Sequence, residues 1–178
     1  MPAIPPWARE IADGLVDAGV SDVVYVPDNP LSQLMRALET EHKGLRATIA
    51  TREEEAVGIA AGLYLGGVRS AVLCQSSGLG NAANALASLL VAYQIPVLLV
   101  VSMRGEEGEW NWAQVPMARA VRPLLAALGI QTFALDTAAS AESLVRRAAA
   151  LAFGTRTPVA CLLPRRLTSP DPSVGDGR

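Results

Sequence analysis

Ser70–Ser102 reads SAVLCQSSGLGNAANALASLLVAYQIPVLLVVS, and no charged residue occurs between Arg69 and Arg104. Gln75-Ser76-Ser77-Gly78, Asn81, Asn84 and Gln94-Ile95-Pro96 cut this stretch into pieces too short to cross a bilayer. What remains is a strand (Ser70–Gln75), a glycine-containing turn, a helix (Leu79–Ala92) and a second strand (Val97–Ser102). Both strands are continuous apolar runs, the pattern of parallel strands covered on both faces. The segment therefore predicts the buried centre of a parallel sheet.

The same alternation extends outward in both directions. Further strands are expected at Val23–Val26, Arg46–Ala50, Ile130–Leu135 and Val159–Leu163. Helices are expected near Pro6–Ala18, Pro30–His42, Arg52–Leu65, Val115–Leu128 and Ala141–Phe153. Six βα alternations define an α/β class, a three-layer α/β/α domain with a mostly parallel six-stranded sheet. One domain is expected over 1–168, and the Pro-, Gly-, Asp- and Ser-containing tail 169–178 is expected to be disordered.

Composition narrows the function. The 178 residues hold 15 Lys+Arg against 17 Asp+Glu, a net charge of −2, which argues against a nucleic-acid binder with its basic face. Thirty alanines against eight aromatic residues let helices sit close to the sheet. Cys74 and Cys161 lie inside apolar runs and read as reduced core residues, and Met1–Pro6 lacks the pattern of a signal peptide. A cytoplasmic protein with no membrane partner is expected.

In such sheets ligands bind beyond the carboxyl ends of the strands. The segments there are Pro27-Asp28-Asn29, Thr51-Arg52-Glu53, Ser76–Asn81, Met103–Gln114, Asp136-Thr137 and Pro164-Arg165-Arg166. Glu53, Glu54 and Glu55 open the third helix, where acids favour the helix dipole whatever else they do. Helical periodicity separates them. Glu53 lies four residues before Val57, on the apolar stripe Val57, Ala60, Ala61, Tyr64, whereas Glu54 is about 100° and Glu55 about 200° away. Glu53 should point inward and Glu55 to solvent, and an inward carboxylate needs a partner or a ligand.

The Ser76–Asn81 loop suits a backbone approached by a ligand, though a tight βα turn would read the same. Met103–Gln114 (MRGEEGEWNWAQ) is long for a βα connection. It is either a substrate loop or a solvated loop pinned by Trp110 and Trp112. His42 reads as a solvated helix-end residue. No spacing of His, Cys and acids suggests a metal site, and one histidine leaves no Ser/Cys–His–Asp catalysis at the rim.

Arg52-Glu53-Glu54-Glu55-Ala56-Val57-Gly58-Ile59-Ala60-Ala61-Gly62, with glutamate nine residues before glycine, resembles the signature of pyrimidine-binding domains of thiamine diphosphate enzymes. The likeness continues through Ser77-Gly78-Leu79-Gly80-Asn81, Asn84-Ala85-Leu86 and Tyr93-Gln94-Ile95-Pro96. It extends to Arg104-Gly105-x-x-Gly108-Glu109 and Gln114-Val115-Pro116-Met117. The combination is similar to the alpha subunits of sulfopyruvate decarboxylases and the matching half of phosphonopyruvate decarboxylases, over roughly residues 8–167.

The resemblance implies that Glu53 is catalytic, hydrogen-bonding N1′ of the cofactor's aminopyrimidine, with Gln75, Ser77, Gly78 and Asn81 as further cofactor contacts. It implies a short anionic 2-oxo acid substrate, 3-sulfopyruvate or 3-phosphonopyruvate, met by Asp28, Asn29, Arg104, Glu109 and Gln114. The cofactor is the electron sink for decarboxylation. In the family, Mg²⁺ and the diphosphate are held by a second domain through Gly-Asp-Gly and a later Asn. Here Gly175-Asp176-Gly177 is followed only by Arg178, so it reads as a coincidence of the tail. A partner beta subunit carrying Gly-Asp-Gly and the Asn is expected to supply Mg²⁺, in an α₂β₂ or larger assembly. Two alternatives remain open: a thiamine diphosphate-dependent carboligase subunit, and a non-catalytic nucleotide- or anion-binding module.

Overall fold

The structure, a computed structural model, describes residues 3–169. In chain order the elements are α1 (Pro6–Asp17), β1 (Asp22–Tyr25), α2 (Asn29–Glu41), β2 (Arg46–Ile49), α3 (Glu53–Leu65) and β3 (Ser70–Gln75). They continue with α4 (Leu79–Ala85), β4 (Leu98–Ser102), α5 (Val115–Ala127), β5 (Gln131–Ala134), α6 (Ala138–Thr155), β6 (Val159–Leu163) and α7 (Arg165–Thr168). All six strands are parallel, in the order β2-β1-β3-β4-β6-β5.

Strand parity sorts the core into two layers. Ala71 and Leu73 of β3, Leu98 and Val100 of β4, and Val159, Cys161 and Leu163 of β6 pack under α1, α2 and α6. Val72 and Cys74, Leu99 and Val101, and Ala160 and Leu162 pack under α3, α4 and α5. The period of two is that of side chains alternating across a strand. Cys74 and Cys161 thus lie in different layers, both free and buried, and burial pushes the Cys161 thiol up to about 12.

Three expectations need correction. Arg46–Ile49 is not covered on both faces: all four residues of β2 are exposed, because β2 is an edge strand. The helix expected over Leu79–Ala92 is α-helical only to Ala85; Leu86–Val91 continues as a π segment, burying Leu86 and Leu90. Residues Arg165–Thr168, for which no helix was expected, form the short helix α7. His42 is half-buried, with Asp13 Oδ1 2.8 Å from its Nε2. The expected disordered tail lies, from Pro170 onward, outside the described residues.

Candidate functional site

Chain order places β2 on one side of β1 and β3 on the other, so the sheet changes direction between β1 and β3. A crevice opens beyond the carboxyl ends of two such strands, and ligands bind there in open α/β sheets. Asp28, just past β1, occupies the N-cap position of α2 yet makes no side-chain cap bond. Its carboxylate instead turns to the sheet, accepting from Gln75 Nε2 at 2.6 Å and from Ser102 Oγ at 2.6 Å. Ser77 Oγ donates to Gln75 Oε1, which fixes the orientation of the amide. Gln75 and Ser102 are register partners at the ends of β3 and β4, so their side chains share the face under α2.

Glu53 approaches the same point from the opposite face. It is half-buried at the first position of α3, and a Cβ built on Gly78 would fall 1.9 Å from both its Cδ and its Oε1. The carboxylate therefore rests directly on the backbone of the Ser76–Asn81 loop, and only glycine leaves room for it. Burial pushes the thiol of Cys74 up, and the Glu53 and Asp28 charges push it further. Both carboxylates thus converge on the end of β3.

The neighbouring acids of α3 are spent differently. Glu55 is exposed and reaches back to accept from Thr51 N and Thr51 Oγ1, each at 2.7 Å. These bonds lower its pKa, and they close the first turn in the manner of a capping box. Glu54 Oε1 lies 3.5 Å from Arg52 Nη1.

The 103–114 loop is organised around one residue. The side chain of Glu109 is 1% exposed and receives Arg104 Nε at 2.8 Å and Nη2 at 3.1 Å. Gly105 N at 3.2 Å and Asn111 N at 3.0 Å complete the anchorage. The Arg104 guanidinium, with these amides, holds the carboxyl down to about 2 against the opposing effect of burial. Gly105 sits at φ +67°, and a Cβ there would come 2.6 Å from Ala118 Cβ. The loop is thus closed tightly onto α5. Trp110 and Trp112 are 81% and 84% exposed, so the tryptophans do not pin the loop; Glu109 organises it, and Arg165 ties Glu106 and Gly108 to the body.

The structure brings together Glu53, Gly78, Gln75, Ser77 and Asp28, although the last was expected among substrate contacts. Arg104 joins them through its backbone N–H, which donates to buried Ser76 Oγ at 3.0 Å. Asn29 and Arg104 line one cleft. Glu109, expected to touch substrate, is corrected to a residue behind that cleft, because its oxygens are occupied within the protein. Asn81 is on the exposed first turn of α4, and Gln114 ends a 3₁₀ turn before α5. The sequence reading missed Ser102 and Ser76. Ser102 had a signal, the lone polar residue ending the apolar run Leu98–Val101. Among the described residues, no group of three His, Cys, Asp or Glu is placed to hold a metal. None of their helices is long and apolar enough to cross a membrane.

Residues 7–119 match the family of thiamine pyrophosphate enzymes, N-terminal TPP-binding domain, and the chain belongs to that family. It is 41% identical over 152 residues to sulfopyruvate decarboxylase subunit alpha of Methanocaldococcus jannaschii, covering 85% of this chain and 89% of that one. The corresponding subunit of Methanococcus maripaludis is 39% identical over 156 residues, covering 88% and 93%. Phosphonopyruvate decarboxylase of Streptomyces viridochromogenes is 37% identical over 102 residues, which are 57% of this chain and 25% of that protein. A solved 2-oxoglutarate:ferredoxin oxidoreductase from Magnetococcus marinus superposes with a TM-score of 0.71 at 15% identity, over 94% of this chain and 31% of that one, a likeness of fold.

Proposed function

We propose that this chain is the pyrimidine-holding subunit of a two-subunit thiamine diphosphate-dependent decarboxylase of 3-sulfopyruvate or 3-phosphonopyruvate. The carrying observation is Glu53, a half-buried carboxylate standing on side-chain-free Gly78 at the β1/β3 crevice. That cradle fits the pyrimidine end of the cofactor: a half-buried carboxylate held in one place is the group that would meet a ring nitrogen. When bound, thiamine diphosphate supplies a nucleophilic carbon and the electron sink for loss of CO₂.

This chain's own residues bind and orient. Glu53 holds a proton at the pyrimidine N1′, and Gly78 keeps its carboxylate in one place. Asp28, buttressed by Ser102, fixes the Gln75 amide, and Ser77 completes the wall of the crevice. Arg104 faces the carboxylate or distal anion of the 2-oxo acid. The overall change breaks the bond between the substrate's carboxylate and carbonyl carbons, takes up one proton and leaves an aldehyde that keeps the distal anion.

A partner subunit with Gly-Asp-Gly and a later Asn holds Mg²⁺ and the diphosphate, in an α₂β₂ or larger cytoplasmic assembly. The relatives named subunit alpha support a partner. So does the outer surface of α3 and the following helix. Gly58, Gly62, Leu65 at 74%, Val91 at 37% and Tyr93 at 70% are exposed there, in two segments with no charged side chain, Ala56–Val68 and Ser70–Met103. The test is reconstitution. The purified chain alone should show no turnover with thiamine diphosphate and Mg²⁺, and adding the partner subunit should restore CO₂ release from an anionic 2-oxo acid. Steady decarboxylation by the single chain, or none by the complex, would defeat the proposal.

A further inference from the structure

Arg165 follows β6 and plays no part in the chemistry above, yet it lines a cleft of about 280 Å³ with Asn29, Gln33, Arg104, Trp110 and Thr168. Among the described residues, the only charged side chains lining this cleft are the two guanidinium groups. The carboxylate they share, Glu109, is 1% exposed and lies behind them, 2.8 Å from Arg104 Nε and 3.5 Å from Arg165 Nη1. One paired carboxylate therefore serves two guanidinium groups; the Asp28 charge also acts on Arg104, but its two oxygens are engaged by Gln75 and Ser102. The next acid, Glu106, is committed elsewhere: it accepts from the backbone N–H of Arg165 at 3.1 Å and lies 3.6 Å from Arg122.

The donor inventory agrees with the charge count. A guanidinium carries five N–H groups in a rigid fork. Arg104 gives two to Glu109. Arg165 gives its Nε–H to the carbonyl of Gly108 at 3.1 Å and approaches Glu109 through Nη1. Each arginine thus keeps up to three N–H groups for the cleft. The two side chains are only 15% and 14% exposed, so an anion there would meet them partly desolvated.

We propose that Arg165 acts with Arg104 to bind the tetrahedral distal anion of the substrate, and that Arg165 is a specificity-determining residue. Glu109 is the positioning residue that holds both forks side by side. This deepens, and rests on, the decarboxylase reading. Arg104's backbone N–H is tied to Ser76, two residues before Gly78, which links this cleft to the Ser76–Asn81 loop. Three oxygens on sulfur or phosphorus match two forks and the neutral amide donors Asn29 and Gln33, while the Thr168 hydroxyl donates to the Arg165 carbonyl.

The experiment uses the reconstituted complex with two substrates of equal carbon-chain scale, 3-sulfopyruvate and 2-oxobutyrate, which lacks the distal anion. Arg165→Gln should lower kcat/KM for 3-sulfopyruvate about ten- to a hundredfold, mainly through KM, and leave 2-oxobutyrate within threefold. Arg165→Lys should recover part of the loss, since it keeps the charge but not the fork. Arg166→Gln is the control: Arg166 is exposed, pairs with Asp136, and should change neither substrate. Equal losses on both substrates, or no loss on either, would overturn the proposal. A binding measurement separates it from the reading beneath it. Sulfoacetate should perturb Trp110 fluorescence in the wild-type complex and not in Arg165→Gln. If that dependence holds while no 2-oxo acid is decarboxylated, the decarboxylase reading fails and the anion site stands. If sulfoacetate binds both proteins alike, or neither, the anion site fails.

Discussion

Gly78→Ala separates the fold from the chemistry. The backbone at Gly78 has φ −76° and ψ −20°, an ordinary right-handed conformation that alanine accepts without strain. Adding a methyl there also restricts the unfolded chain, which by itself stabilises by about 0.4–1 kcal/mol. The new Cβ, however, would stand 1.9 Å from Glu53 Cδ and Oε1, where nonbonded contacts below about 3 Å do not persist. The far end of the glutamate must move by more than about 1 Å, and its flexible side chain lets it do so at little cost to folding. A displacement of that size at a reacting group costs about a hundredfold. We expect the variant to melt within a few degrees of wild type and to bind its partner, while turnover of the reconstituted complex falls about a hundredfold or more. In a Glu53→Gln background the same change should add little, because both act on one carboxylate. Calorimetric melting and CO₂ release are the assays. Near-normal turnover in Gly78→Ala, or a large drop in melting temperature, would refute the idea that this glycine exists to seat Glu53.

Glu53→Gln alone should lower turnover about 10²–10⁴-fold with the fold retained, read from CO₂ release and melting temperature. Glu55→Gln should keep activity but lower the melting temperature slightly, since it weakens the acceptor of the two Thr51 bonds. Glu109→Gln should cost about 1–3 kcal/mol at pH 7 by urea unfolding. The folded pKa of Glu109 is depressed, so its contribution is present above about 4.5 and lost as pH falls toward 2; the gap between variant and wild type should close across that window. Gly105→Ala should destabilise by about 2–5 kcal/mol in the same assay, combining a left-handed backbone with a 2.6 Å clash against Ala118.

Two local patterns carried most of what was legible in the chain. Unbroken apolar runs made Ser70–Gln75 and Val97–Ser102 central strands, and the structure assigns their odd and even residues to separate layers. The 3.6-residue period of α3 set Glu53 inward and Glu55 outward, and the structure places Glu53 half-buried and Glu55 exposed. Arg46–Ile49 misled because short β-branched and apolar residues look alike at a sheet's centre and at its edge. Which strands are edges depends on sheet order.

Such patterns are properties of neighbours in the chain, so residues a few positions apart suffice to reveal them. The site also depends on contacts across long separations. Asp28 meets Gln75 47 residues away and Ser102 74 residues away, because β1, β3 and β4 are adjacent in the order β2-β1-β3-β4-β6-β5. Gly78 and Glu53 meet because their loops follow strands on the same rim. The same rim carries Arg165 to Gly108, 57 residues apart, and leaves Glu109 behind the cleft it was expected to line. The sequence by itself determined which residues face the core and which inward carboxylate asks for a ligand. Only the tertiary structure decided what that carboxylate rests on and which charges share a wall, since no local period encodes the order in which strands pair.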